Sequence, residues 1–98
     1  MNNELGRKRM EEFTKIVYNA DELKKNLNLK AGETSLGWGI TYNINFFTQW
    51  SDNPFYMHII ELVLNKVHHE WQQKPKNTED EWVIIFQNTM EKSGLRRI

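Results

Sequence analysis

Apolar side chains recur at helical spacing from the start of the chain. Met10, Phe13, Ile16, Val17, Ala20, Leu23 and Leu27 fall within one arc at about 100° per residue. Glu11→Lys15 and Asp21→Lys25 stand four apart on the outer side, in the order that supports a helix. The pattern predicts a helix over 4–28, ended by the turn "NLKAGETS" with Gly32 as its breaker. A second helix is announced by "SDNPF", where Asn53 caps and Pro54 takes a first position that needs no N–H. Tyr56, Ile59, Ile60, Val63, Val67 and Trp71 give it an apolar stripe over 54–73, and "QQKPKN", with Pro75, closes it. The last helix opens on Thr78 and Glu81 at capping-box spacing. Trp82, Ile85, Phe86 and Met90 follow, and Gly94 stops it after 79–93.

The stretch between the first two helices reads two ways. "GWGITYNINFFTQW" alternates like a strand, with Leu36, Trp38, Ile40, Tyr42, Ile44 and Phe46 on one side and Gly37, Gly39, Thr41, Asn43 and Asn45 on the other. At helical spacing, Leu36, Ile40, Ile44, Phe47 and Trp50 make one stripe, while Trp38, Tyr42 and Phe46 make another. A strand must pair its N–H and C=O groups. The only other strand-like run, "WVIIFQ", directly follows a helix-capping signal. The preferred reading is therefore a helix over 35–50. Its alternative is an α+β fold in which residues 36–46 form a strand paired across a dimer.

The expectation is an all-α fold, a compact bundle of about four helices (4–28, 35–50, 54–73 and 79–93) in a single small domain spanning 1–98. Residues 1–3 and 95–98 are expected to fray. Phe13, Val17, Ile40, Val63, Val67, Ile85 and Phe86 are the expected core.

Composition narrows the class. Hydrophobic residues at 39% and charged residues at 27% describe a globular chain. The 13 basic and 13 acidic residues cancel, so no global field steers the protein toward a polyanion. The absence of cysteine excludes a disulfide framework, a thiolate metal site and a Cys nucleophile. The basic start "GRKR" leads into no apolar targeting segment. Apolar runs such as "WVIIF" fall far short of the roughly 20 residues that span a bilayer. A cytoplasmic protein with no membrane partner is the expectation. The abundance of Asn, Lys and Ile is also what AT-rich coding gives, as in a phage or mobile element.

Candidate chemistry is sparse. His58 and His69 are too far apart along one helix to share an ion, and "HHE" points its adjacent side chains apart. No metal and no cofactor are expected. Ser35, Ser51 and Ser93 lie in no nucleophile elbow, and "GWG" lacks the context of a phosphate loop. The chain is read as non-enzymatic. The surplus aromatic stripe Trp38, Tyr42 and Phe46, with Tyr18 on the polar side of the first helix, suits a contact surface for another protein. His58, Leu62, Asn65 and His69 line the face opposite the stripe of the 54–73 helix, a candidate self-interface for a homodimer. Arg7, Lys8 and Arg9, with Arg96 and Arg97, are the candidate nucleic-acid contacts, although acids interleave the basic positions of the first helix. The function expected is a small protein-binding module of adaptor, immunity or inhibitor type, acting by surface occlusion through the aromatic patch. The second reading is a nucleic-acid-associated helical protein.

Overall fold

The computed structural model describes residues 3–97 apart from 36, 51, 74 and 75. Among these the chain forms α1 (Asn3–Val17), α2 (Ala20–Leu27), β1 (Lys30–Thr34), β2 (Gly37–Thr41), α3 (Asn45–Thr48), α4 (Pro54–Gln73) and α5 (Glu79–Lys92). The protein is mostly helical, with one two-stranded antiparallel sheet.

The sheet replaces the helix expected over 35–50. β2 pairs with β1 in the same chain, with Ala31 opposite Ile40, Gly32 opposite Gly39 and Glu33 opposite Trp38. The backbone groups of β2 that face β1 are paired within the hairpin, so pairing across a dimer is not needed to explain the strand. Gly37 takes φ 110° just after the turn, a conformation that side-chain-bearing residues rarely adopt. Leu36, expected on the buried stripe, lies outside the described residues. After Asn43 the chain makes only the four residues of α3, which turn Phe46 and Phe47 inward and leave Ile44 51% exposed.

The helix expected over 4–28 is two helices. Asn19 interrupts it with extended backbone (φ −107°, ψ 110°), and its Oδ1 accepts the Glu22 N–H at 3.1 Å. That is an N-cap, and Asp21 and Glu22 favour the helix start that follows it. Of the apolar arc, Phe13 and Val17 of α1 and Leu23 and Leu27 of α2 are buried, while Met10 and Ala20 are exposed.

Helices α2 and α5 end alike. Leu29 N–H reaches back to Lys24 O at 3.1 Å and Asn28 N–H to Lys25 O at 3.2 Å. Leu95 N–H reaches Met90 O at 3.0 Å and Gly94 N–H reaches Glu91 O at 3.2 Å. Both are Schellman motifs, with the required positive φ at Asn28 (48°) and Gly94 (111°). Each is followed by a buried leucine: Leu29 is 5% exposed and Leu95 2%. Residue 95 is thus packed into the core and not frayed; residues 1, 2 and 98 lie outside the described residues.

Aromatic rings hold the core together. Phe13 of α1 lies 5.0 Å from Tyr56 of α4, 5.1 Å from Trp50 and 6.2 Å from Phe46 of α3, centroid to centroid. Phe46 meets Phe47 at 5.2 Å, and Phe47 stacks on Phe86 of α5 at 6.3 Å. Of the expected core, Phe13, Val17, Val63, Val67 and Phe86 are buried. Ile40 and Ile85 are half-buried against it, Ile40 because it sits on the thin hairpin. Trp71, placed on the α4 stripe, is 38% exposed, near the end of a helix that outruns the core.

Two substitutions test this description by urea denaturation. Phe13→Ala removes contacts with three elements at once and should cost ~3–5 kcal/mol. Gly94→Val should cost roughly 1–3 kcal/mol although a Cβ there meets nothing within 4 Å, since the penalty lies in the backbone.

Candidate functional site

The aromatic residues singled out in the sequence do not form one exposed patch. Phe46 is 4% exposed and belongs to the ring cluster around Phe13. Tyr42 is half-buried, edge-on to Phe86 at 5.7 Å. Trp38 is half-buried beside the start of α5, near Thr78, Glu79 and Asp80, and its Nε1 is buried with no hydrogen-bond partner among the described residues. The hairpin is docked there through β1, whose Ala31 N–H donates to Glu79 Oε1 at 3.2 Å, and beside it Lys24 Nζ of α2 pairs with Asp80 at 2.8 Å. Tyr18 is a clasp. Its hydroxyl donates to Leu95 O, and the Arg97 guanidinium lies 4.5 Å over its ring. Burial raises the Tyr18 pKa, with Arg97 opposing.

The outer face of α4 is exposed along His58, Leu62, Asn65 and His69. His68, next to it, stacks on Trp71 at 6.3 Å. Among the described residues, no three His, Asp or Glu side chains gather as metal ligands would. No helix among them is long and apolar enough to cross a membrane.

The basic residues divide. Arg9 turns toward the loop before α4: Nη1 reaches Asp52 Oδ2 at 2.9 Å, Nη2 donates to Gln49 O at 2.8 Å, and the guanidinium lies 5.4 Å from the Trp50 ring centre. Lys8 stands exposed on α1. Arg7, Arg96 and Arg97 meet around a single cleft of about 400 Å³. The two ends of the basic set are therefore brought together, while its middle is diverted into an ion pair.

A feature that the sequence reading passed over lies between α3 and α4. Ile44, Phe47, Met57, Ile60 and Leu64 line a shallow apolar groove of about 150 Å³, with Thr48 and Glu61 at its margin. Met57 is 45% exposed and Ile44 51%. Met57, Leu64 and Trp71 are seven apart, so the exposed Met57 and Trp71 and the half-buried Leu64 fall on one line along α4 that runs beyond the groove. That spacing was present in the sequence, hidden beside the stronger buried stripe.

No family model, curated protein or solved structure matches this chain.

The Arg9–Asp52 pair yields a pH prediction. The hydrogen bond from Arg9 holds the Asp52 carboxyl below its ordinary 3.8. A depressed folded-state pKa stabilises the fold above the ordinary value, and that contribution is lost as pH falls through the folded value. Carboxyl NMR should therefore show Asp52 titrating below 3.8, and Arg9→Gln should return it toward that value. The pair is solvent-exposed, so the change in stability should be small.

Proposed function

We propose that this protein is a non-enzymatic protein-binding module, of adaptor, immunity or inhibitor type, that works by covering part of a partner's surface. The observation that supports this reading is the apolar groove of Ile44, Met57 and Leu64, extended by Trp71. Exposed apolar side chains scattered singly need no explanation, but a line of them beside a groove is what a partner helix uses. The described residues measure 49 × 22 × 21 Å, about two helix diameters across, so each helix turns one side to solvent. On α4 that side is apolar where the groove lies. An amphipathic helix of the partner suits it, with its apolar side in the groove and a basic residue toward Glu61.

The contact proposed here lies away from Trp38, Tyr42 and Phe46, of which Phe46 is in the core and Trp38 and Tyr42 are half-buried. The nucleic-acid reading has less support. Arg9 is paired with Asp52 and Arg97 with Glu91, and Glu11 sits among the remaining cations. A phosphate-tracking face keeps its cations free and together.

Affinity capture from a host lysate, with and without nuclease, compares the native chain with Ile44→Lys/Met57→Lys. A protein retained after nuclease by the native chain and lost from the variant is the expected result, because truncated or charged anchors typically cost about thirtyfold or more in affinity, roughly 2 kcal/mol. Both positions are exposed, so the melting temperature should hardly change. Retention by both chains moves the contact elsewhere, and loss on nuclease treatment supports the nucleic-acid reading.

A further inference from the structure

The cleft that gathers Arg7, Arg96 and Arg97 is on the other side of α4 from the groove. Phe55 lines the cleft and Met57 the groove, and two residues at helical spacing point about 200° apart. One wall of the cleft is α1, where Arg7, Met10, Glu11 and Thr14 stand three and four apart on one face. The other wall is the non-helical segment Gly94–Arg97, and Phe55 closes the end.

Its surfaces differ from floor to rim. Leu95 (2% exposed) and Thr14 (3%) form the floor, and the Thr14 hydroxyl is occupied, donating to Met10 O at 2.6 Å. Met10 and Phe55 are 42% and 40% exposed, an apolar lining that water covers in the free protein. At the rim, Arg97 is neutralised by Glu91. Arg7 and Arg96 have no ion-pair partner among the described residues. Two free guanidinium forks therefore stand over an apolar recess. A guanidinium matches a carboxylate with two parallel hydrogen bonds, a fit that a lone ammonium does not give.

We propose that this cleft is a second binding site, one that takes an acidic segment of a polypeptide with an apolar side chain seated on Met10, Phe55 and Leu95. The α1 wall from Arg7 to Thr14 is roughly 10 Å long at 1.5 Å per residue, the reach of about three extended residues. That length suits a short peptide segment. Glu11, on the same wall, leaves an acceptor for a peptide N–H. The inference stands apart from the α3–α4 groove, and either surface can fail without the other.

The test uses the full chain and a set of fluorescein-labelled, capped hexapeptides. Each carries one Leu, Met, Phe or Trp flanked by glutamates, and each has a counterpart with lysines in place of the glutamates. Binding is followed by anisotropy at low salt and mapped by NMR. Saturable binding of acidic peptides is expected, with the shifts confined to Met10, Thr14, Phe55 and Leu95. The lysine counterparts and the Arg7→Gln/Arg96→Gln variant should each bind roughly tenfold more weakly or worse. The Ile44→Lys/Met57→Lys variant should bind the acidic peptides as the native chain does. The proposal is overturned if no acidic peptide saturates, if the lysine peptides bind equally, if the arginine variant binds unchanged with an unaltered melting temperature, or if the shifts map to the groove. A single-stranded oligothymidylate that displaces the peptides and binds tighter than all of them would reassign the cleft to nucleic acid.

Discussion

Phe13 is the side chain on which the packing turns. It is fully buried and reaches α3, the loop before α4, and α4 itself, through Phe46, Trp50 and Tyr56. From Phe46 the ring contacts continue through Phe47 and Phe86 to Tyr42 at the exit of the hairpin. A domain about two helix diameters thick has little interior, and large flat side chains fill it with few residues. This has a cost at the surface. Most of the aromatic side chains are used inside, so the exposed apolar groove is built from Ile44, Met57 and Leu64.

The edges of this core are set by backbone hydrogen bonds and caps. Two Schellman endings, at Asn28 and Gly94, steer the chain so that the next residue, a leucine each time, drops into the interior. The first ending leads into the hairpin, and Asn43 N–H returns to Leu27 O at 2.6 Å to close the hairpin's open end. The second turns the chain back along α1 and delivers Arg96 to the rim of the cleft. At α5 the acids divide the work. Glu81 completes a capping box with Thr78, Glu79 accepts from β1, and Asp80 pairs with Lys24 of α2.

The parts of this arrangement that were legible in the sequence are those with local causes. Asn53–Pro54 and Thr78–Glu81 announce α4 and α5 at the residues where they begin. Asn19 with Glu22 carried a similar cap signal inside what reads as one long helix, and the continuous apolar arc outweighed it. The hairpin was half-legible. β2 alternates plainly, but its partner Lys30–Thr34 has only Ala31 as an apolar residue and looks like a turn. Pairing energy there comes from the backbone, which no side-chain pattern reports. The meeting of Arg7 with Arg96 depends on how α1 and the end of α5 pack, a tertiary fact with no local trace. The diversion of Arg9 to Asp52 is of the same kind.

The clasp between Tyr18 and Leu95 spans 77 residues, and the Gln87 side chain donates to Val17 O at 3.0 Å across 70. During synthesis, then, the Val17–Tyr18 end of α1 lacks these contacts until α5 has arrived. At about 5–20 residues per second that interval is roughly 4–15 s, long against the microseconds in which a helix forms. Val17 O and the Tyr18 hydroxyl therefore stay exposed without these partners for nearly the whole passage of the chain, whereas Phe13 meets Phe46, Trp50 and Tyr56 earlier. Slower translation would lengthen that exposure without hastening closure of the core.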